Sequence, residues 1–288
     1  MLKAGIFIDA ENVMRTGGWG LRYDTLKEFV RAQNAHIIRA NTYLAQDNER
    51  EAMDIDFRRK KDLYRSNLRQ MGYKVVLKPV RRYRDSDGTL VTKANADLEL
   101  AVDAIMQARE LDYIVLLSGD GDFTRLVTAC QDLGCRVDVI GLHFCSRELR
   151  EAADHFVSGF LIPDLLPVQE GRVRGMLTAV NEEKYFGWLS VLQSLQLDDI
   201  DREIFIHGND LEGGRLTNER FAALRDQQAI IDFELQEDER GRRAVNAVVL
   251  RPEDNGWPHR RDDDDDEESG APKNIAEEHI KGDSIYED

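Results

Sequence analysis

Apolar and polar positions follow two different rhythms along this chain, and the change falls near Pro163 and Pro167. Before it, short apolar runs separate stretches with helical spacing. Gly5-Ile6-Phe7-Ile8, His36-Ile37-Ile38, Tyr73 to Leu77, Tyr113-Ile114-Val115-Leu116-Leu117 and Arg136 to Ile140 read as strands. Runs apolar on both sides fit strands buried between two layers. Between them, Leu21 to Asn34, Asp54 to Met71, Ala94 to Arg109, Phe123 to Leu133 and Ser146 to Ala153 read as helices, the last with Ser146 as its N-cap. The helix from Ala94 carries its expected core stripe at Leu98, Ala101, Val102 and Ile105. Strands alternating with helices predict an α/β domain, a parallel sheet flanked by helices.

After the prolines the rhythm shortens. Gly175 to Val180, Phe186 to Val191, Glu203 to His207, Ile230 to Gln236 and Ala244 to Arg251 read as five strands with no long helix, which predicts a small all-β barrel. From Asp254 onward apolar residues are sparse and Asp262 to Glu268 is unbroken acid, too little apolar surface to fold. The expected divisions are residues 1–165, 166–253 and a disordered acidic tail, 254–288.

Charge sharpens this picture. The formal net charge of −16 argues against a nucleic-acid partner until its distribution is read. The tail holds 13 acids against 4 basic residues, whereas Phe57 to Arg84 holds 11 basic residues against one acid, Asp62. The average hides a dense positive segment and a dense negative one. With no apolar run of about 18 residues and no signal-like N-terminus, a membrane partner is not expected and a cytoplasmic location is. Cys130, Cys135 and Cys145 lack disulfide or zinc spacing and are expected as buried thiols. A homo-oligomer is left open.

The candidate chemistry is a group of acids. Asp9 closes the first strand; Asp120 and Asp122 follow the fourth, in Ser118-Gly119-Asp120-Gly121-Asp122-Phe123. In an open parallel sheet, ligands bind at the carboxyl ends of strands beside a topological switch point, where these acids would meet. The glycines at 119 and 121 are expected to let the backbone turn sharply. A further acid comes from the helix near Ala94. Asp97 and Asp103 are six residues apart and point about 120° from each other; Asp97, in the first turn, is preferred and Asp103 held in reserve. Two carboxylates about 5 Å apart repel by about 3 kcal/mol at an effective dielectric near 20, so converging acids take up protons or a cation. Hard oxygen donors select Mg²⁺ or Mn²⁺.

Phe7-Ile8-Asp9-x-x-Asn12, Lys93-Ala94-Asn95-Ala96-Asp97-Leu98-Glu99-Leu100-Ala101-Val102-Asp103 and Ser118 to Phe123 together resemble the NYN family of PIN-like nucleases. Ser146-x-x-Leu149-x-x-x-Ala153-Asp154-x-Phe156 is similar to that family's closing helix. The resemblance spans about residues 3 to 165. It implies a metal-dependent ribonuclease with Asp9, Asp97 and Asp120 as principal acids and Asn12, Asp103 and Asp122 in support. The metal ligands would be Asp9, Asp97, Asp120 and Asp122. A haloacid-dehalogenase-like phosphatase also carries an acidic motif like Gly119 to Asp122, but its nucleophile motif needs Asp where this chain has Glu11.

In the second part, Asn181 to Leu189 and Glu203-Ile204-Phe205-Ile206-His207 resemble the RNA-contacting motifs of cold-shock domains, an OB-fold family. Phe186 and Trp188 share one strand face, as do Phe205 and His207; with Lys184 they would form a base-stacking platform. Tyr185 replaces that family's usual glycine, and Ala179 and Val180 its aromatic pair. In the basic segment, Arg58, Lys61, Arg65 and Arg69 are expected on one exposed helix face, with Phe57, Tyr64, Leu68 and Met71 buried. Arg81 and Arg82 would continue a phosphate track. The leading expectation is an endoribonuclease acting on single-stranded or structured RNA. The alternative is an RNA-binding regulator without catalysis.

Overall fold

A computed structural model describes residues 1–84, 90–93, 96–211, 216–239 and 241–251. The helix start expected at Ala94 and the acidic tail lie outside the described residues. The first part runs β1 (Leu2–Asp9), α1 (Ala10–Arg15), α2 (Tyr23–Ala32), β2 (Ala35–Gln46), α3 (Asn48–Met53), α4 (Ile55–Gln70) and β3 (Lys74–Pro79). It continues through β4 (Arg81–Arg84), β5 (Leu90–Lys93), α5 (Asp97–Ala108), β6 (Tyr113–Leu117), α6 (Thr124–Asp132), β7 (Arg136–Gly141), α7 (Arg147–Ala152) and β8 (His155–Ser158). β4 and β5 pair as an antiparallel hairpin. The other strands form one sheet in the order β3-β2-β1-β6-β7-β8, all parallel. β1 and β6 are neighbours, with Ile8 opposite Leu117, so the switch point lies where the acids predicted it.

Successive β1 side chains enter opposite layers. Ile6 and Ile8 pack with Leu26, Phe29 and Val30 of α2, whereas Phe7 packs with Leu100 and Ala104 of α5. The helix in front of β6 is nevertheless turned from its expected pose. α5 buries Leu100, Ala104 and Ala108, while Leu98 is 70% exposed and Val102 and Ile105 also face outward. Both stripes of α5 are apolar, so spacing could not choose between them; the small alanines allow the closer approach to Phe7 and Ile114. Ser146 caps α7 as expected, accepting from the Leu149 amide, but α7 stops at Ala152 and Phe156 belongs to β8.

α4 is also rotated. Arg58 and Arg69 are exposed, but Arg65 is buried and Lys61 half-buried on the side of Leu68. The cause is α3, which the apolar pattern did not announce. It supplies Glu51, and the Arg65 guanidinium donates two hydrogen bonds to that carboxylate, one at 2.9 Å. Arg65 is therefore a buried ion pair, not a phosphate contact. The Lys61 ammonium lies 5.4 Å above the Phe57 ring, and burial lowers its pKa despite nearby Glu11 and Glu51. Met71, expected inside, is 37% exposed.

The second part contains β9 (Arg172–Asn181), β10 (Phe186–Leu192), β11 (Ile200–His207), α8 (Asn218–Asp226), β12 (Ile230–Asp238) and β13 (Gly241–Val249). The five strands close into a barrel, β10-β11-β13-β12-β9, antiparallel except where β11 meets β13. Leu177, Leu189, Ile204, Ile206 and Phe233 fill it, and α8 closes one end with Phe221 and Leu224. The two parts share core: Leu192 and Ile230 of the barrel pack in the same cluster as Phe160, Leu165 and the α2 side of the sheet. Arg174 fastens the junction, donating to Asp232 and to the Pro167 carbonyl with its guanidinium 5.6 Å over the Phe160 ring. Among the described residues no helix is long and apolar enough to cross a membrane.

Tyr185 shows how the barrel accommodates its departure from the cold-shock pattern. Its φ is +56°, the left-handed conformation that glycine adopts without strain. The ring is held edge-on to Phe221 and His207, and the hydroxyl donates to the Leu216 carbonyl at 2.8 Å. It lies so close to Gly208 that a Cβ there would sit 2.2 Å from the ring. Gly208→Ala should therefore destabilise the chain by about 1–3 kcal/mol in denaturant unfolding, with most of that loss absent in a Tyr185→Gly background. Glu51→Ala should lower stability by about 3 kcal/mol because it strands the buried Arg65 charge. Arg58→Ala, on the exposed face, should change stability by less than about 0.5 kcal/mol in the same measurement.

Candidate active site

The site grows from the way β1 ends. Asp9 is the last residue of β1 and the N-cap of α1, its Oδ1 accepting from the Asn12 amide at 3.0 Å. Its second oxygen accepts from Ser118 Oγ at 3.1 Å, at the end of the adjacent β6. Asn12 reaches back, its Oδ1 accepting from the Gly119 amide at 2.8 Å. Ser118 Oγ also accepts from the Asp120 amide at 3.2 Å. Two helix-capping turns from separate strands are thus bolted together through Asp9, Asn12 and Ser118. A serine after an apolar run gives no sign in the sequence of this bridging part, because both of its partners are set by the fold.

Asp120 caps a short 3-10 turn, Gly121 to Phe123, its Oδ1 accepting from the Asp122 amide at 3.0 Å. The flanking glycines have a different purpose from the one expected, because neither has positive φ. A Cβ on Gly119 would lie 3.1 Å from Cys145 Cα, and one on Gly121 2.9 Å from Ser146 Oγ. Close packing of the β7–α7 loop, not a left-handed turn, demands glycine at both places.

Asp9 is only 6% exposed. Burial is the main reason its pKa rises from 3.8 to about 6; the Asn12 amide opposes the rise and the negative charge of Asp97 adds to it. Asp97, half-buried in the first turn of α5, is thus within electrostatic range of Asp9. Asp103 instead accepts from the Tyr43 hydroxyl at 3.0 Å and pairs with Lys74 at 3.3 Å, on another side of α5. The supporting position expected for Asp103 is corrected accordingly: the angular offset between the two acids places only Asp97 beside Asp9.

Asp97 and exposed Asp122 line a cleft of about 830 Å³ between α5 and α6, with Leu98 and Ile105 on its apolar wall and Arg81 and Arg125 among its cations. Arg125 escaped the sequence reading, since it lies outside the basic run. Arg82 is exposed, but it pairs with Asp47 and Glu49 beside α3, the latter at 3.0 Å. The donor set is wholly hard oxygen, and a buried carboxylate within electrostatic range of a second acid suits a divalent cation. Among the described residues no three His, Cys, Asp or Glu side chains stand close enough to share one ion as placed. Glu11, the position that distinguishes the phosphatase alternative, accepts from the Ala45 amide at 3.2 Å, which ties it to β2.

On the barrel, Gly187, Leu189, Ile204 and Ile206 point inward, and Phe186, Trp188, Phe205 and His207 outward. Phe205 lies between the other two rings, 5.5 Å from Phe186 and 5.6 Å from Trp188. Trp188 is 39% exposed. These aromatics therefore form an outer cluster and do not fill the core. His207 sits opposite Phe186, but its Nδ1 accepts from the Asn209 amide. Lys184 is exposed on the β9–β10 turn.

A curated relative, the "Low amplitude and bright protein LabA" of Synechococcus elongatus, is 27% identical over 164 residues, covering 54% of this chain and 82% of that protein. A crystal structure of a protein of unknown function, VPA0982 of Vibrio parahaemolyticus, is 28% identical and covers 58% of this chain and 96% of its own, with a TM-score of 0.46. MurG of Acinetobacter baumannii matches at 12% identity and a TM-score of 0.32, covering 58% of this chain and 44% of its own. The NYN domain profile matches residues 3–165, more than half of the chain and the whole of the parallel sheet with its acidic end. The chain belongs to the NYN-domain family.

Proposed function

We propose that this chain is a ribonuclease that hydrolyses RNA phosphodiester bonds with Mg²⁺ or Mn²⁺ at the β1–β6 end of the sheet. The observation that carries this reading is Asp9, a nearly buried carboxylate joined through Ser118 to the Asp120–Asp122 turn and within electrostatic range of Asp97. A protein that only binds RNA gains nothing from anions gathered where the polyanion would lie. Drawn closer together than they stand without it, Asp9, Asp97, Asp120 and Asp122 would hold the ion, which would supply a Lewis acid for the phosphoryl oxygen and an activated water.

The chain's own residues then have separable tasks. Asn12 and Ser118 fix the Asp9 carboxylate, so that it presents its charge in one orientation. Arg81 and Arg125 bracket the cleft beside Asp97 and Asp122, where backbone phosphates flanking the scissile bond would pass. Exposed Arg58 and Arg69 extend the positive surface along α4. The outer aromatic cluster of the barrel suits stacking of unpaired bases.

The deciding experiment incubates labelled RNA with the full chain, with and without Mn²⁺. Asp9→Asn, Asp97→Asn and Asp120→Asn should each reduce cleavage at least about 100-fold while the fold persists. Equal cleavage by all three variants would remove the site from consideration. RNA binding with no cleavage under either ion would leave the regulator reading in its place.

Asp9 also has a signature in stability. Its folded pKa of about 6 exceeds the ordinary 3.8, so the unfolded chain ionises first and stability from this group falls as pH rises between those values. Asparagine can keep the bond from the Asn12 amide and lose the charge. Without divalent ions, Asp9→Asn should therefore raise stability at pH 7.5 by an amount on the order of 1–3 kcal/mol. The gain should shrink towards pH 4, as thermal unfolding across that range will show.

A further inference from the structure

The β7–α7 loop carries an exposed aromatic that the proposed site leaves unused. Phe144 is 77% exposed and holds a φ of +61°, a conformation uncommon for any residue with a bulky side chain. It stands against the acidic loop. The Ser146 amide donates to the Gly119 carbonyl at 2.9 Å, and a Cβ on Gly119 would come within 3.4 Å of the Phe144 carbonyl. A large exposed ring in left-handed backbone, two residues from the Ser146 amide, is available to a ligand that could use it.

Phe144 lies at a cleft of about 700 Å³ between the two parts of the chain, which Arg150, Met176, Ser190 and Gln228 also line. Arg150 supplies positive charge, with its guanidinium 5.6 Å over the Phe156 ring and donating to Gln228 across the junction at 2.8 Å. Asp154, the acid at this cleft, accepts from the Val137 amide. Ser190 is the outward residue of β10 nearest the junction, and Trp188 and Phe186 follow on the same face at intervals of about 7 Å. The β7–α7 loop thus touches the acidic loop on one side and lines this cleft on the other, and β10 leads from the cleft to the outer aromatic cluster.

We propose that this interdomain cleft is the path of a single RNA strand from the acidic site to the barrel, with Phe144 stacking on a base beside the scissile phosphate. Arg150 contacts the backbone as the strand crosses the junction. This rests on the ribonuclease reading for its direction, but it adds an RNA-binding residue and a requirement for unpaired bases at that point. A duplex keeps its bases stacked on one another and cannot offer a free face to Phe144.

The test measures anisotropy of a fluorescent single-stranded oligoribonucleotide at fixed salt, using the full chain with Asp120→Asn and no divalent ion. Affinity is then read apart from cleavage, and failure of the wild type to cleave would bear only on the catalytic reading. Phe144→Asn keeps a residue that tolerates left-handed backbone and should weaken binding about five- to fifty-fold. Phe144→Trp should restore it, with thermal unfolding unchanged in both. Arg150→Gln should weaken binding and lower the salt slope by about one counterion. Undiminished affinity in Phe144→Asn, no rescue by tryptophan, or equal sensitivity with duplex RNA would each overturn the proposal.

Discussion

The parallel pairing of β1 with β6 is the constraint on which the site depends. Both strands are buried between two apolar layers, so polar chemistry is confined to their ends. At that end Asp9 must serve as a helix cap and stay nearly dry, and the Asn12 amide offsets only part of the burial. Across the strand boundary Ser118 donates to Asp9 and the Gly119 amide donates to Asn12, and with the Asn12 amide these bonds hold the carboxylate in one orientation. The same bonds hold the loop that carries Asp120 and Asp122. A strained acid and a rigid frame therefore have one cause, the close approach of two strand ends.

Small residues govern the surroundings. Gly119 and Gly121 admit the β7–α7 loop, which brings Phe144 beside the acids. Ala104 and Ala108 let α5 lie close on the sheet, and its first turn carries Asp97 within electrostatic range of Asp9. The cost of that choice is an apolar stripe, Leu98, Val102 and Ile105, left facing out along the cleft. Gly208 yields its space to the Tyr185 ring, which anchors a turn whose backbone would suit glycine. In each case the room left by a missing side chain is filled by a neighbour that the site or barrel requires.

The sheet and the barrel form a coupled unit. Leu192 and Ile230 pack into the core beneath α2, and Gln33 donates to the Leu195 carbonyl across the boundary. Arg174 sits at the same junction between Asp232, Pro167 and Phe160. The orientation of the barrel's outer face relative to the acids is therefore set by buried contacts as well as by the connecting chain.

By itself the sequence determined the two kinds of domain, nearly every strand of the sheet and barrel, and the placement of Asp9 and Asp120 at strand ends. Those features are local: apolar runs, proline breaks and acids adjoining them are visible without knowing what packs on what. Only the tertiary structure decided which side of each helix is inside. α5 has two apolar stripes, and the choice between them follows from the distance to the sheet. α4 has basic residues around much of its circumference, and Arg65 turns inward because Glu51, 14 residues earlier, waits there as a counter-charge. The separation of Asp97 from Asp103, the role of Ser118 and the position of Phe144 likewise depend on partners distant in sequence. Spacing along one helix cannot encode a partner that another element brings into contact.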